Sequence, residues 1–190
     1  MTKVLLLLGV TGCGKTTVIQ HLEAMDNRFV YIKPYTTRPL RENEIDKVHV
    51  SEEHLMELLR DQKLLAINTL YENKYGTPRE PIEVALEQAK YPLIDFPIQF
   101  VGIMEEHFPE RLVKIYLKPP GLENLSDRLR LRTDREKRLA FASQELEDFE
   151  KGRYRGLFDL VVVNNEEKQA ETAKVVYSYF LQALTFPKPE

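Results

Sequence analysis

The chain has 190 residues, of which 43% are hydrophobic and 30% are charged, proportions that are usual for one globular domain with a full-sized core. Its formal net charge of -3 argues against a general affinity for nucleic acid or for an anionic membrane, so an anionic ligand must be held by a local cluster of cations. The single cysteine cannot form an internal disulfide, which favours a reducing, cytoplasmic location.

The first predicted elements are a buried strand, Val4 to Leu8, and a glycine-rich loop followed by a helix. The loop, residues 9–16, fits the pattern G-x-x-x-x-G-K-[ST] at every fixed position. Glycines let the backbone amides curl around phosphate oxygens, and the positive end of the next helix points at the same place. Apolar residues recur at helical spacing after the loop (Val18, Ile19, Leu22). This order of elements predicts a nucleotide phosphate site.

The whole loop is predicted to bind ATP, through Gly9, Val10, Thr11, Gly12, Cys13, Gly14, Lys15 and Thr16. Lys15 offers a positive charge to the β- and γ-phosphates, and the Thr16 hydroxyl can ligate Mg²⁺, the predicted cofactor. Cys13 takes a variable position of the pattern and is assigned no redox role. The four histidines have no metal-ligand spacing, which argues against a zinc site.

Beyond the loop, short apolar strands alternate with helices. Strands are predicted at residues 29–33, 48–50, 64–70, 93–96, 112–117 and 160–163, and residues 73–78 as a turn or short strand. Helices are predicted at residues 51–60, 81–90, 123–132, 134–151 and 166–184. The alternation predicts an α/β fold with a parallel sheet and helices on both faces. A ligand then lies at the carboxyl ends of the strands.

Two basic segments interrupt this alternation. Arg38 and Arg41 lie in a segment without an apolar period, where two guanidinium groups can converge on one phosphate. The second segment is denser and contains Arg128, Arg130, Arg132, Arg135 and Arg138. A solvated charged face is the alternative for both segments. Phosphoryl transfer needs movable cations over the γ-phosphate, which favours that role for Arg132 and Arg138 and, less strongly, for Arg135.

Taken together, the motifs resemble the guanylate kinase family over nearly the whole chain. The matching segments, in the family's order, are Thr36-Thr37-Arg38 with Arg41 (T-T-R-x-x-R), Lys74-Tyr75-Gly76-Thr77 (Y-Y-G-T), Leu93-Ile94-Asp95 (L-x-D), Lys118-Pro119-Pro120, the arginine-rich residues 130–139, and residues 158–164 (F-D-x-V-x-x-N). The phosphate loop alone indicates only an NTP-binding protein. The ordered set is much more specific.

The resemblance implies a single domain with a three-layer α/β/α P-loop kinase core at residues 1–33 and 76–190, an acceptor-binding insert at about 34–75, and a lid at about 130–150. It implies transfer of the γ-phosphate of ATP to GMP, which yields ADP and GDP. Lys15, Arg132 and Arg138 would stabilise the transferring group. The acceptor would be held by Arg38, Arg41, Tyr75, Thr77 and Asp95.

Several positions depart from the family's pattern. The family's guanine-reading Glu corresponds to Ala66, and the second acid of its D-x-D corresponds to Pro97. Residues 47–50 are shorter than the family's segment and lack its Tyr, which removes one ligand of the acceptor phosphate. The phosphate-gripping residues are therefore present while the base-reading Glu is absent.

Two other classes stay open. One is a kinase for another phosphorylated acceptor, such as ribose 1,5-bisphosphate, and Ala66 favours it while Arg41 and Thr77 favour a nucleotide kinase. The other is a non-catalytic binding module of the kind found in scaffold proteins. The intact Gly14, Lys15 and Thr16 argue against that module. The sequence therefore favours an ATP-dependent GMP kinase with relaxed base selectivity.

Overall fold

The computed structural model describes residues 2–42, 44–130 and 134–185. Within these residues there are nine strands: β1 (Val4–Leu8), β2 (Phe29–Tyr31), β3 (Tyr35–Thr36), β4 (Val48–His49), β5 (Leu64–Leu70), β6 (Asn73–Pro78), β7 (Tyr91–Asp95), β8 (Leu112–Lys118) and β9 (Leu160–Val163). They form two sheets, and one of the buried apolar clusters contains residues of both, Leu6 of β1 and Leu65 of β5 among them.

The same residues form seven α-helices: α1 (Lys15–Met25), α2 (Glu52–Arg60), α3 (Glu80–Glu87), α4 (Val101–His107), α5 (Leu122–Arg128), α6 (Arg135–Glu150) and α7 (Gln169–Thr185). A single 3-10 turn, Ile98–Phe100, precedes α4. None of the helices in the described part of the chain is long and apolar enough to cross a membrane.

The main sheet has five parallel strands in the order β2-β7-β1-β8-β9. Its central strand β1 pairs with β7 and β8, and all five of its residues are buried. Alternate residues of β1 face opposite layers, as a strand's geometry requires. Leu5 and Leu7 pack with apolar residues of α1 and α7, whereas Leu6 packs with Ile82 of α3 and Met104 of α4. This three-layer α/β/α arrangement confirms the predicted fold class.

The second sheet is small and mixed, with the order β4-β3-β6-β5. Strand β3 pairs parallel with β4 and antiparallel with β6, and β5 pairs antiparallel with β6. Its own core is limited to Leu55, Leu58 and Leu64, with partly buried residues around them. The sheet extends from Tyr35 to Pro78 and includes the predicted insert. The proposed division of the chain into core, insert and lid stays a prediction.

Some element boundaries differ from the sequence predictions. No strand was predicted at Tyr35–Thr36, yet these residues pair with β6, a partner about forty residues away that no local pattern reveals. Helix α4 was not predicted, since its seven residues are too few to establish an apolar period. Helix α3 ends before the predicted Lys90, because Ala89 adopts a left-handed φ of 56° and the Lys90 amide donates to Ala85 O at 2.8 Å.

Candidate active site

A cleft of about 410 Å³ lies between the carboxyl end of β1, the small sheet and helix α6. The following residues contribute to its walls: Gly9, Val10, Thr11, Gly12, Gly14, Lys15, Thr16, Pro34, Arg38, Arg41, Asp46, Lys47, Asn68, Leu70, Tyr71, Tyr75, Thr77, Asp95, Phe96, Pro97, Gln99, Arg128, Leu129, Arg138, Phe141, Ala142 and Glu145. The parallel sheet therefore positions the cleft where its topology predicts a ligand.

The phosphate loop connects β1 to α1 and is shaped by its glycines. Gly9 has a φ of 136°, and a Cβ added there would lie 2.5 Å from the carbonyl oxygen of Leu117 in β8. Gly14, the residue before α1, has a φ of 96°. Lys15 donates from Nζ to the carbonyl oxygens of Gly9 at 2.6 Å and Val10 at 3.2 Å. The lysine thus lies folded over the loop, with its charge at the centre of the backbone curl.

Seven of the eight predicted loop residues line the cleft, and Cys13 is the exception. Its side chain is fully buried beneath the loop in the core shared with α1 and α7. Burial raises the pKa of the Cys13 thiol, despite the nearby Lys15 ammonium. The Cys13 carbonyl accepts a hydrogen bond from Asn164 Nδ2 at 2.8 Å, so the buried asparagine after β9 holds the loop in place.

Arg38 and Arg41 converge on one carboxylate, that of Glu44. Arg38 Nη2 lies 2.6 Å from Glu44 Oε1, and Arg41 Nη1 lies 3.2 Å from the same oxygen. Burial opposes ionisation of both groups in the Arg38–Glu44 pair, yet their hydrogen bonds raise the pKa of Arg38 and hold the pKa of Glu44 below its usual value. The two guanidinium groups therefore lie within reach of a single anion, and their binding of an acceptor phosphate stays a prediction.

Strands β5 and β6 present a row of side chains to the cleft. Thr77 is opposite Ala66 in the register, and Tyr75 is opposite Asn68. Directly opposed residues of an antiparallel pair point to the same face of a sheet. Thr77 and Tyr75, both predicted to bind the acceptor, line the cleft together with Asn68. Ala66 does not line the cleft and is buried in an apolar cluster with residues of β1.

Asp95 is the last residue of β7 and also lines the cleft. One of its carboxylate oxygens accepts a hydrogen bond from the Tyr31 hydroxyl at 2.6 Å. Burial, followed by the Asp95 charge, raises the pKa of that hydroxyl, so Tyr31 stays protonated and keeps the carboxylate oriented.

The arginines of the second basic segment have separate locations. Arg138 on α6 is 7% exposed, and it donates to Asp134 Oδ1 at 2.7 Å and to Thr11 Oγ1 in the phosphate loop at 3.1 Å. Arg135 donates to Ser126 Oγ at 2.6 Å and does not line the cleft. Arg132, predicted to be catalytic, lies outside the described residues.

Four side chains in or beside the cleft were given no role from the sequence. They are Glu44, Tyr71, Arg128 and Glu145. Arg128, named from the sequence only as a member of the second basic segment, donates to Gly12 O at 3.0 Å. The Tyr71 ring lies under Arg138, with its centroid 4.2 Å from the guanidinium carbon.

The sequence could have indicated Glu145, because it stands seven positions after Arg138 and so belongs to the same face of α6. Burial raises the pKa of Glu145 despite the charge of Lys15, and Tyr116 donates a hydrogen bond to its carboxylate at 3.1 Å.

A phosphate loop at the end of a parallel strand, facing clustered arginines across a cleft, defines a P-loop phosphotransferase. The family model for guanylate kinase matches residues 1–179. A guanylate kinase of Helicobacter hepaticus is 32% identical over 188 residues, which cover 94% of this chain and 90% of the relative. A guanylate kinase of Mesorhizobium japonicum is 33% identical over 174 residues, covering 87% and 77%. The chain therefore belongs to the guanylate kinase family, as its motifs predicted.

Solved structures support the fold. A guanylate kinase from Anaplasma phagocytophilum superposes with a TM-score of 0.73 at 23% identity, covering 95% of this chain and 85% of that one. A shikimate kinase from Acinetobacter baumannii, in complex with shikimate, superposes with a TM-score of 0.50 at 15% identity, covering 96% and 94%. Membership of the family makes this protein a phosphotransferase with a phosphate group as acceptor, of the class of ATP-dependent nucleoside monophosphate kinases.

Proposed function

We propose that this protein transfers the γ-phosphate of ATP to GMP, forming ADP and GDP. The supporting observation is a cleft with two cationic centres, the phosphate loop with Lys15 on one wall and Arg38 with Arg41 on the other. Because each centre suits an anion, the pair fits a substrate phosphate opposite a nucleotide triphosphate. The named relatives are guanylate kinases, which favours GMP as the acceptor.

The reaction needs positioning and charge neutralisation rather than a covalent enzyme intermediate. An oxygen of the acceptor phosphate attacks the γ-phosphorus, the bond from that phosphorus to the β,γ-bridging oxygen breaks, and ADP leaves with the electron pair. Lys15 would exchange its bonds to the Gly9 and Val10 carbonyls for phosphate oxygens. Arg138, which already contacts Thr11, would neutralise charge on the transferring group, and Arg132 is proposed to assist it.

On the acceptor side, Arg38 and Arg41 would grip the phosphate of GMP with charge-assisted hydrogen bonds. Tyr75 and Thr77 would add hydroxyl contacts from β6, and Asp95 would face the phosphates from the end of β7. Glu44 stabilises the two arginines in position before the acceptor binds, so less side-chain freedom is lost on binding.

The residues present fit a magnesium ion that arrives with ATP. No group of three or more His, Cys, Asp or Glu side chains suited to a metal occurs in the described ranges, whereas the hydroxyl residue Thr16 lines the cleft beside the loop. Mg²⁺ keeps several waters and binds through substrate phosphates with one or two protein ligands, which suits this donor set. When bound, it would neutralise charge on the β- and γ-phosphates. Thr16 is the proposed ligand.

A coupled assay of ADP release across a panel of acceptors tests the assignment. The panel holds GMP, dGMP, AMP, UMP and ribose 1,5-bisphosphate at equal concentrations. We expect turnover with GMP and dGMP and a modest preference over the other monophosphates, because Ala66 offers no carboxylate to the guanine edge. Exclusive use of the sugar bisphosphate would overturn the nucleotide assignment. ATP binding without turnover on any acceptor would instead indicate a binding module.

The proposed partners are thus ATP and a nucleoside monophosphate. The cytoplasmic location and the lack of nucleic-acid and membrane partners stay predictions from composition and charge.

A further inference from the structure

Asn68 on β5 has a polar group without a protein partner. The residue is 4% exposed, and its Nδ2 atom is buried with no hydrogen-bond partner among the residues that the structure describes. Buried amide groups are nearly always hydrogen-bonded, because an unmet donor loses its water without compensation. Because this unpartnered donor lies in the wall of the cleft, it suits a partner that comes with a ligand.

The location of Asn68 indicates which ligand. It lines the cleft, it is opposite Tyr75 in the β5–β6 register, and it stands two positions after Ala66 on the same face. The phosphate grip is already supplied by Arg38 and Arg41, so the amide is available to the remainder of the acceptor. Apolar groups in the same cleft, among them Leu70 and Phe96, suit the faces of a flat ring.

An amide matches the edge of a purine. It offers a donor and an acceptor side by side, and so do the O6/N1–H edge of guanine and the N6–H/N1 edge of adenine. A half-turn of the amide exchanges the positions of its oxygen and nitrogen, which lets one Asn pair with either edge. A carboxylate at such a site has acceptors only, and it would favour guanine.

We propose that Asn68 contacts the base of the acceptor nucleotide and sets a relaxed purine selectivity, in which guanine and adenine edges are both accepted. This inference rests on the proposed function. It gives a physical reason for modest base preference, since the amide substitutes for a carboxylate that would reject adenine.

Two variants test the contact. Asn68→Asp keeps the shape and leaves acceptors only, so we expect the GMP to AMP ratio of kcat/KM to rise about tenfold or more. Asn68→Leu keeps the approximate volume and removes both partners, so kcat/KM should fall about 5- to 150-fold for both nucleotides, mainly through the acceptor KM. The KM for ATP should stay unchanged in both. Thr69→Asp and Thr69→Leu are matched controls, because Thr69 is exposed on the opposite face of β5.

A substrate analogue provides a test that uses the unmodified protein. Purine riboside 5′-monophosphate keeps N1 but lacks a group at C6, so it loses one of the two proposed hydrogen bonds. We expect its kcat/KM to be at least about fivefold below that of AMP, and we expect this difference to vanish in Asn68→Leu. If a melting curve shows that one variant does not fold, the other variant and the analogue still test the base contact.

The outcomes separate the two proposals. The base contact would be overturned if both Asn68 variants phosphorylated GMP with unchanged base ratios and acceptor KM, and if AMP and the analogue reacted at equal rates. The GMP kinase assignment would then stay intact. Failure of the unmodified protein to use any purine monophosphate would overturn both. A shifted ratio in Asn68→Asp together with unshifted ratios in the Thr69 controls supports the contact.

Discussion

The two walls of the cleft are built on different principles. The phosphate-loop wall is mostly backbone, and it rests on the fully buried strand β1 and on the buried Cys13 and Asn164. The arginine wall is mostly side chains, carried by a small sheet whose core has three buried leucines and held together by ion pairs to Glu44. The proposed nucleotide side therefore depends on backbone shape, whereas the proposed acceptor side depends on which side chains converge.

The walls meet where helix α6 contacts the turn between β5 and β6. Phe141 packs edge-to-face on Tyr71, with 5.4 Å between ring centroids, and Lys137 Nζ lies 2.6 Å from Glu72 Oε1. Tyr71 and Glu72 both have left-handed φ angles, of 51° and 67°. The turn thus holds two unfavourable backbone conformations where it contacts α6.

The largest expected effect is on the phosphate-loop wall. Lys15→Ala should lower kcat about 10³-fold or more while the fold persists, since a cation aimed at the transferring phosphoryl group is worth roughly that factor. Single-turnover rates at saturating ATP measure it, and circular dichroism checks the fold. A near-normal rate would remove Lys15 from the mechanism and would make the loop a binding element only.

A pair of glycine variants compares the walls directly. Gly9→Ala would push a Cβ to 2.5 Å from a backbone oxygen at a left-handed φ of 136°, so we expect a loss of about 3 kcal/mol in the free energy of unfolding. Gly76→Ala in β6 would meet the methyl ends of Leu55 at 2.7 Å and Leu64 at 3.0 Å, which can move, and it should cost about 1 kcal/mol. Urea denaturation measures both. Equal losses in the free energy of unfolding would mean that the phosphate-loop wall and the small sheet tolerate an added methyl group equally well.

Two arginine variants test the arginine wall. Arg38→Ala and Arg41→Ala should each raise the KM of the acceptor about 10- to 150-fold, the equivalent of about 1.5–3 kcal/mol for a charge-assisted hydrogen bond. The KM for ATP should change little. Arg153→Ala, which removes an exposed arginine paired with Asp148, serves as the control. A rise in the ATP KM alone would mean that these arginines belong to the other wall.

The smallest expected effect concerns Glu145, which faces both walls from α6. Because its folded-state pKa is raised by burial, the folded protein is most stable with Glu145 protonated and loses stability as the pH rises from the unfolded pKa through the folded one. The glutamine of Glu145→Gln carries no charge at any pH. At pH values above the folded-state pKa of Glu145, the free energy of unfolding of the variant should therefore exceed that of the parent protein by about 1 kcal/mol. Below the unfolded-state pKa, the two free energies should match.

Thermal melts between pH 4 and pH 8 measure this difference. Glu147→Gln, an exposed position of the same helix paired with Lys151, is the control. Melting temperatures of Glu145→Gln that run parallel to those of the parent protein at every pH would exclude a buried charge at this position.

The phosphate loop was predictable because its function is local. Eight consecutive residues carry the glycines, the lysine and the hydroxyl, and the flanking apolar pattern predicts the strand and the helix that orient them. The α/β class followed for the same reason, since strand and helix periods are read over short windows. The family membership followed from motifs that are each contiguous.

The small sheet and its side chains were harder to predict. Strand β3 has two residues and owes its existence to β6, and the pairing of Arg38 with Glu44 depends on a loop conformation that no period encodes. Asn68 stands two positions after Ala66, a spacing that puts both residues on one face of a strand. Its buried and unpartnered Nδ2 became visible only in the packed structure.

The sequence by itself determined the nucleotide-binding loop, the parallel α/β core and the family of this protein, because those features are encoded in neighbouring residues and their periods. Only the tertiary structure decided which distant side chains share the cleft: Tyr71 lies under Arg138, Arg138 donates to Thr11, and Asn68 lines the same cleft. Such contacts join residues far apart in the chain, and they form only when the two sheets and α6 have packed together.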